Sequence, residues 1–422
     1  MRKKGVLKAF VFLCLSLLIF CAFFYCGNVK FGYINLDKTH NIQSFEISVQ
    51  SSLNSSNIEI SGDIDNQVDT QIDNIETDKY DQILNDLDES EKSIFEGQSF
   101  WRKVKKIISG EEGFNFGEIL NLMLSLFVDN LSSIIPVLAL ICAISVISSL
   151  LLQFRGKSLN KPLGDVIHFA SFAIIAVIVL NAVLHLVSIT SSTLNSLKTQ
   201  MEITFPIMLT LMASLGAGSS VAIYQPILAI LCGVIMRIFT SILLPIFSLT
   251  LIFNIIGNLT DSVKFSKING FFNSLFKYVI GFTFTIFTGF LAVSGISAGS
   301  FDGVSIRATK YAIKSYVPLL GGYISDGFGL IMASSILIKN AVGFSGLIVM
   351  FLSVISPILK IILFKLGLSL ASGIIESVAD KRVTNFLSSV SKSLTMLSSV
   401  IIAFSFAYLI STGLLMCSSN VF

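Results

Sequence analysis

Charge is what this chain lacks most. Only 13% of its 422 residues are Asp, Glu, Lys or Arg, 53% are hydrophobic, and the mean hydropathy is +0.81. A soluble domain carries about 25% charged residues, so a water-covered globule is excluded and a polytopic membrane protein is what remains. Histidine is nearly absent, with three in the chain. His40 stands apart, and His168 and His185 fall near opposite ends of one predicted span, too far apart for a shared metal or proton relay, so hydrogen bonding is their plainer role. The six cysteines make no framework and have no metal-ligand spacing. Cys14, Cys21 and Cys26 sit in the first apolar run, neither Cys21 nor Cys26 follows the small residue of a lipoprotein signal, and Cys142, Cys232 and Cys417 are isolated, so all read as small apolar side chains.

Catalytic motifs fail on spacing. "GFSG" (343–346) has the form of the rhomboid-protease serine motif, but that chemistry needs a histidine on a later helix, and all three histidines precede it. "PLGD" (162–165) is near the aspartyl intramembrane-protease motif, with Pro162 where a glycine is expected, and no partner aspartate stands out. Neither H-E-x-x-H nor G-x-x-x-x-G-K-[ST] occurs. The expectation is a protein that is not an enzyme and takes no cofactor or metal.

What is present is a series of long apolar runs, the length a bilayer core about 30 Å thick asks of a helix. Met1-Arg-Lys-Lys4 followed by Ala9 to Cys26 reads as a signal peptide or signal anchor (1–26), leaving the N-terminus cytoplasmic and residues 27–115 exported. Between 37 and 96, fifteen acids against Lys38, Lys79 and Lys92 give −12, so the net +3 leaves +15 elsewhere, and a nucleic-acid partner for the acidic segment is excluded. Asp78 to Ile108 ends in "WRKVKK" (101–106), the pattern of an amphipathic helix whose basic end faces either headgroups or solvent. Residues 116–422 form the multi-span domain. It begins with a capping-box-like Asn115 and Glu118 ahead of an amphipathic stretch to Asp129, followed by spans at 133–153 and 166–188. The loop between these spans carries Arg155, Lys157 and Lys161, which places it in the cytoplasm.

Val221 to Gly257 is apolar for 37 residues, about 55 Å as a helix, so it has to break or fold back. Arg237 and Pro245 are the natural break points. Further spans are predicted at 278–297, 318–338, 342–364 and 394–416. Pro206 and Pro318 are 112 residues apart, as are Pro245 and Pro357, which points to an internal repeat, about 204–297 and 316–416, of the kind common in transporter folds. The fold class is therefore all-α: a polytopic membrane helix bundle with broken or re-entrant segments and an N-terminal polar exported segment.

Two stretches concentrate Gly, Pro and charge where lipid tolerates none of it: "DGVSIRATKYAIKSYVPLLGGYISDG" (302–327) and "LIKNAVGFSGLI" (337–348). Their candidate structural or pathway residues are Asp302, Gly303, Arg307, Lys310, Pro318, Gly321, Gly322, Ser325, Asp326, Lys339, Asn340, Gly343 and Gly346, with Pro206 and Arg237 from the first half. The glycines permit unwinding or close helix contact, and Asp326 and Lys339 need each other, another partner or water.

The combination of these two stretches resembles the signature of the stage III sporulation protein AE family of endospore-forming bacteria. "FPIMLTLMASLGAGSS" (205–220) and "SPILK" (356–360) fall in the same order, and the resemblance covers residues 100–422 well and 27–95 poorly. It implies a mother-cell membrane protein of the channel, or feeding apparatus, that joins mother cell and forespore and is needed for late forespore development. The partners it implies are the other stage III A sporulation proteins, including a secretion-type ATPase, and the forespore stage II protein Q. The family is described as permease-like and has no catalytic residues to carry over. Three functions stay open: a permease-like conduit subunit, a non-conducting integral scaffold, and an independent solute transporter. A conduit requires Asp326, Lys339 or Arg237 to face a wet cavity, and a scaffold requires all three to be sealed by protein.

Overall fold

The computed structural model describes residues 116–153, 161–259, 266–316, 321–377 and 380–418, with the backbone alone at 116, 118–119, 122, 151–153, 161–165, 168, 266, 295–316 and 321–331. All lie in the second of two compact units, Gly62–Phe422. The described residues fold as helices: α1 Phe116–Gln153, α2 Lys161–Ser214, α3 Gly218–Ile238, a π turn Phe239–Leu243, α4 Leu244–Leu259, α5 Ser266–Tyr316, α6 Gly321–Ile375 and α7 Lys381–Cys417. Counting α3 through α4 as one, six of them are long and apolar enough to cross a membrane. The all-α polytopic class is thus what these residues adopt, and no strand occurs among them.

Local chemistry explains where the helices stop and bend. α2 ends in a Schellman motif: Gly216 takes φ 79°, and the amides of Gly216 and Ala217 bond to the carbonyls of Ala213 at 3.0 Å and Met212 at 3.1 Å. Only glycine enters this left-handed conformation cheaply, so Gly216 fixes the turn into α3. α7 starts where the Asp380 carboxylate accepts the Arg382 amide at 3.0 Å, an N-cap that satisfies an otherwise orphan donor. The 37-residue apolar stretch neither folds back nor separates into two helices. It changes register through one π turn, lying between Arg237 and Pro245. Proline cannot donate to the carbonyl one turn back and crowds it, and the inserted residue of a π turn relieves that conflict.

Two expected boundaries are absent. The spans predicted at 318–338 and 342–364 are one helix, because α6 runs unbroken through Lys339 and Asn340. Backbone hydrogen bonds satisfy themselves in a continuous helix, and Lys339 finds its partner in tertiary structure, so polarity at that point does not break the chain. Likewise the amphipathic stretch before Asp129 continues into the first span as α1, with Pro136 inside it. Residues 1–115, 154–160 and 317–320, with Pro318, lie outside the described residues.

The helices run up and down, and contacts fix their register. Phe172 of α2 packs on Phe386 of α7 with ring centroids 5.3 Å apart, Asn254 of α4 donates to Ser393 of α7 at 2.8 Å, and Ser372 of α6 donates to the Thr384 carbonyl at 3.0 Å. The N-terminal parts of α2 and α7 and the C-terminal parts of α4 and α6 therefore gather at one end. At the other, Ser214 of α2 bonds Ser335 of α6 at 3.2 Å, and Ser418, just after α7, bonds Tyr224 of α3 at 3.1 Å. α6 and α7 are the centre, with 67% and 56% of their most apolar windows buried, whereas α1 at 17% is an edge helix. At 55 residues, α6 is about 82 Å long and projects beyond a hydrocarbon core about 30 Å thick.

Candidate functional site

The buried centre of the bundle is not purely apolar. α2 carries Gln200 and Thr204 on the face that meets α6 and α7, and its side chains pair across those interfaces. Gln200 donates from Nε2 to Ser353 at 2.8 Å, and Thr204 shares a 2.9 Å hydrogen bond with the phenol of Tyr408. Phe205 packs edge-on against the same tyrosine ring, with centroids 5.8 Å apart. Between lipid-spanning helices such hydrogen bonds and close packing replace the hydrophobic driving force of a soluble core.

Two glycines of α6 make the close approach possible. A Cβ on Gly346 would lie 3.3 Å from both Thr204 Cγ2 and the Tyr408 hydroxyl, and one on Gly343 would lie 2.7 Å from Met416 Cγ and 3.0 Å from Met208 Cε. "GFSG" is therefore a helix-packing element in this structure: its serine, Ser345, is buried in α6.

Lys339 sits at the end of this seam with none of its surface exposed. Its ammonium donates to the carbonyl of Ser418, one of the unsatisfied carbonyls at the end of α7, where the negative pole of the helix favours a cation. Ser418 in turn lies 3.1 Å from the Tyr224 phenol, so α3, α6 and α7 meet through one lysine. The partner is not Asp326. That residue lies thirteen positions earlier in the same unbroken helix, about 20 Å along its axis.

Around the seam some hydrogen-bonding capacity is unspent. Gln200 Oε1, Asn340 Oδ1, Ser345 Oγ, Ser411 Oγ and Thr412 Oγ1 are buried without a hydrogen-bond partner among the described residues. The antiparallel register set by Gly346 against Tyr408 and Gly343 against Met416 brings Ser345 to the level of Ser411 and Thr412. Most buried polar groups in native proteins are bonded, so such a concentration asks for an explanation.

The sequence candidates divide into three groups. Lys339, Asn340, Gly343 and Gly346 come together on α6 at the seam, with exposed Pro206 one helix away on α2. Arg237 does not join them, because it lies exposed on the outer face of α3. Asp302, Gly303, Arg307 and Lys310 fall in the helical backbone of α5, and Gly321, Gly322, Ser325 and Asp326 in the first turns of α6; their side chains lie outside the described residues. The sequence reading missed Gln200, Thr204, Tyr408 and Ser418. The polar run "SITSSTLNSLKTQMEIT" (188–204), unusual within an apolar helix, is the signal that could have located the first two.

Among the described residues no group of His, Cys, Asp and Glu could hold a metal ion.

A family model described as stage III sporulation protein AE matches residues 98–419. A curated protein named stage III sporulation protein AE, from Bacillus subtilis (strain 168), is 23% identical over 351 residues, covering 82% of this chain and 87% of that protein. No solved structure matches.

Proposed function

The chain belongs to the stage III sporulation protein AE family, and from that premise we propose that it is a permease-like membrane subunit of the channel between mother cell and forespore, with the α2–α6–α7 seam as its gated pathway. The observation that carries this reading is the row of buried polar atoms along the α2–α6–α7 seam, inside apolar spans, that have no partner among the described residues. Ionisable groups at membrane depth are costly and are kept where they serve a path or an internal partner. On this reading the other stage III A proteins, a secretion-type ATPase and the forespore stage II protein Q complete the apparatus, and the chain itself performs no catalysis.

A second reading, a non-conducting scaffold, is favoured by the tight seam: Lys339 has a protein partner and Gly343 and Gly346 leave no room beside them. Lys339→Met separates the two, since it conserves shape and removes the charge. A pathway predicts normal protein level and assembly with a loss of late forespore development. A scaffold predicts that any loss of sporulation comes with a lower protein level or failed assembly, because the variant leaves the Ser418 carbonyl without its ammonium. Deletion of the whole chain should arrest forespores after engulfment while vegetative growth is unchanged, and a growth defect in non-sporulating cells would point to an independent transporter instead.

Orientation follows from charge. Lys161, Lys267, Lys381 and Arg382 lie at the starts of α2, α5 and α7, which share one end of the bundle. Basic flanks mark the cytoplasmic side. In a chain whose other cysteines are replaced, exposed Cys417 at the opposite end should react with a membrane-impermeant maleimide from the exported side, and a cysteine placed at Ser158 should not.

A further inference from the structure

We propose that the groove between α3 and α5 at the π turn binds one anionic phospholipid, its acyl chain along the groove and its phosphate held by Lys277. The groove has a volume of about 690 Å³ and lies on the outside of the bundle, with Ile238 and Ile242 on one side and Lys277, Tyr278, Gly281 and Phe282 on the other.

Two local features make it. The π turn at Phe239–Leu243 displaces the surface of α3 between Ile238 and Ile242. On α5, Gly281 contributes no side chain, and a Cβ built there would meet nothing within 4 Å. The walls are apolar and outward-facing, Tyr278 being 75% and Phe282 69% exposed. Lipid chains rather than water are the medium such walls meet.

Charge selects the headgroup. Lys277 is the last residue of the polar stretch "SKINGFFNSLFK" (266–277), immediately before the apolar remainder of α5, which sets it at headgroup level. Arg237 is not part of the lining: α5 runs antiparallel to α4, with Asn269 on Asn254, so Arg237 lies beyond Ile238 at the end of the groove away from Lys277. Among the described residues Lys277 has no acidic partner. A second copy of the chain seated here would bring the same lysine, whereas a phosphate supplies the missing negative charge. The basic residues at this end of the bundle place the groove mouth at the leaflet where anionic lipids attract Lys and Arg.

The test is lipid retention by the full-length chain, purified in detergent, titrated with phosphatidylglycerol or phosphatidylcholine and followed by native mass spectrometry. Wild type should retain one phosphatidylglycerol in preference to phosphatidylcholine. Lys277→Gln should weaken that retention about fivefold, the worth of one basic side chain near an anionic surface, and Arg237→Gln, outside the lining, should leave it unchanged. Gly281→Leu, whose side chain enters open space in the groove, should abolish it, and Gly289→Leu, equally open but outside the groove, should leave it unchanged. Equal retention of both lipids, or unchanged retention in Gly281→Leu, overturns the proposal. So does a wild-type dimer that Gly281→Leu converts to monomer, because the groove would then be covered by a second copy. Lys277→Gln leaves packing untouched, so a folding failure of Gly281→Leu alone does not shield the idea.

Discussion

Lys339 and Arg237 are both cations within apolar helices, and the bundle treats them in opposite ways. Lys339 has no exposed surface and donates to a backbone carbonyl that the end of α7 leaves unsatisfied. Arg237 stands on the outer face of α3, beside the open groove at the π turn. The glycines divide along the same line: Gly343 and Gly346 are pressed by Met416, Thr204 and Tyr408, whereas Gly281 and Gly233 have nothing within 4 Å of a Cβ. The difference teaches that composition does not assign a role to a polar residue or a glycine in a membrane helix. The same residue type closes an interface in one place and forms a surface for lipid in another, and the neighbours across the helix decide which.

The largest effect that could break this comparison comes from the glycines. Gly346→Leu forces a branched side chain against Thr204 and Tyr408 and should cost at least about 1–3 kcal/mol, read as a lower unfolding temperature in detergent and a reduced level in the membrane. Gly281→Leu should stay within about 0.5 kcal/mol of wild type. If both variants behave alike, the seam is not packed more tightly than the groove.

A smaller effect sharpens the polar side of the contrast. Tyr408→Phe leaves the buried Thr204 hydroxyl without the phenol, and Thr204→Val does the reverse, so each should lose about 1 kcal/mol or more. The double variant should recover part of that loss, giving a coupling energy in a double-mutant cycle of denaturation. Additive losses would mean that the 2.9 Å contact contributes nothing as a pair.

The smallest effect is a gain. Gly233→Ala adds a methyl where nothing lies within 4 Å on an exposed helix face. It should raise stability by up to about 1 kcal/mol through helix propensity, visible as a small increase in unfolding temperature with unchanged lipid retention.

Much of the fold is legible before any coordinates. Long apolar runs specify crossing helices, and the pair Arg237 and Pro245 brackets the one place where the 42-residue helix from Gly218 to Leu259 changes register. What misled the reading was Lys339-Asn340, taken as the boundary between two spans. A charge looks like a boundary only when its partner is unknown, and here the partner lies 79 residues away. Of the candidate site, the α6 residues could be found by their Gly and charge content, but Gln200, Thr204, Tyr408 and Ser418 could not be ranked above the many other hydroxyl and amide side chains in the spans.

The sequence by itself determined a helical membrane protein of the stage III sporulation protein AE family, because span length, signature segments and helix-ending residues are local properties that survive any packing. Tertiary structure alone decided that Lys339 caps α7, that Gly343 and Gly346 are closed while Gly281 is open, and that Arg237 faces outward. The reason is physical: lipid and protein interior are equally apolar, so the side chains that face them are alike in composition. Only the register of one helix against another separates a buried partner from an exposed surface.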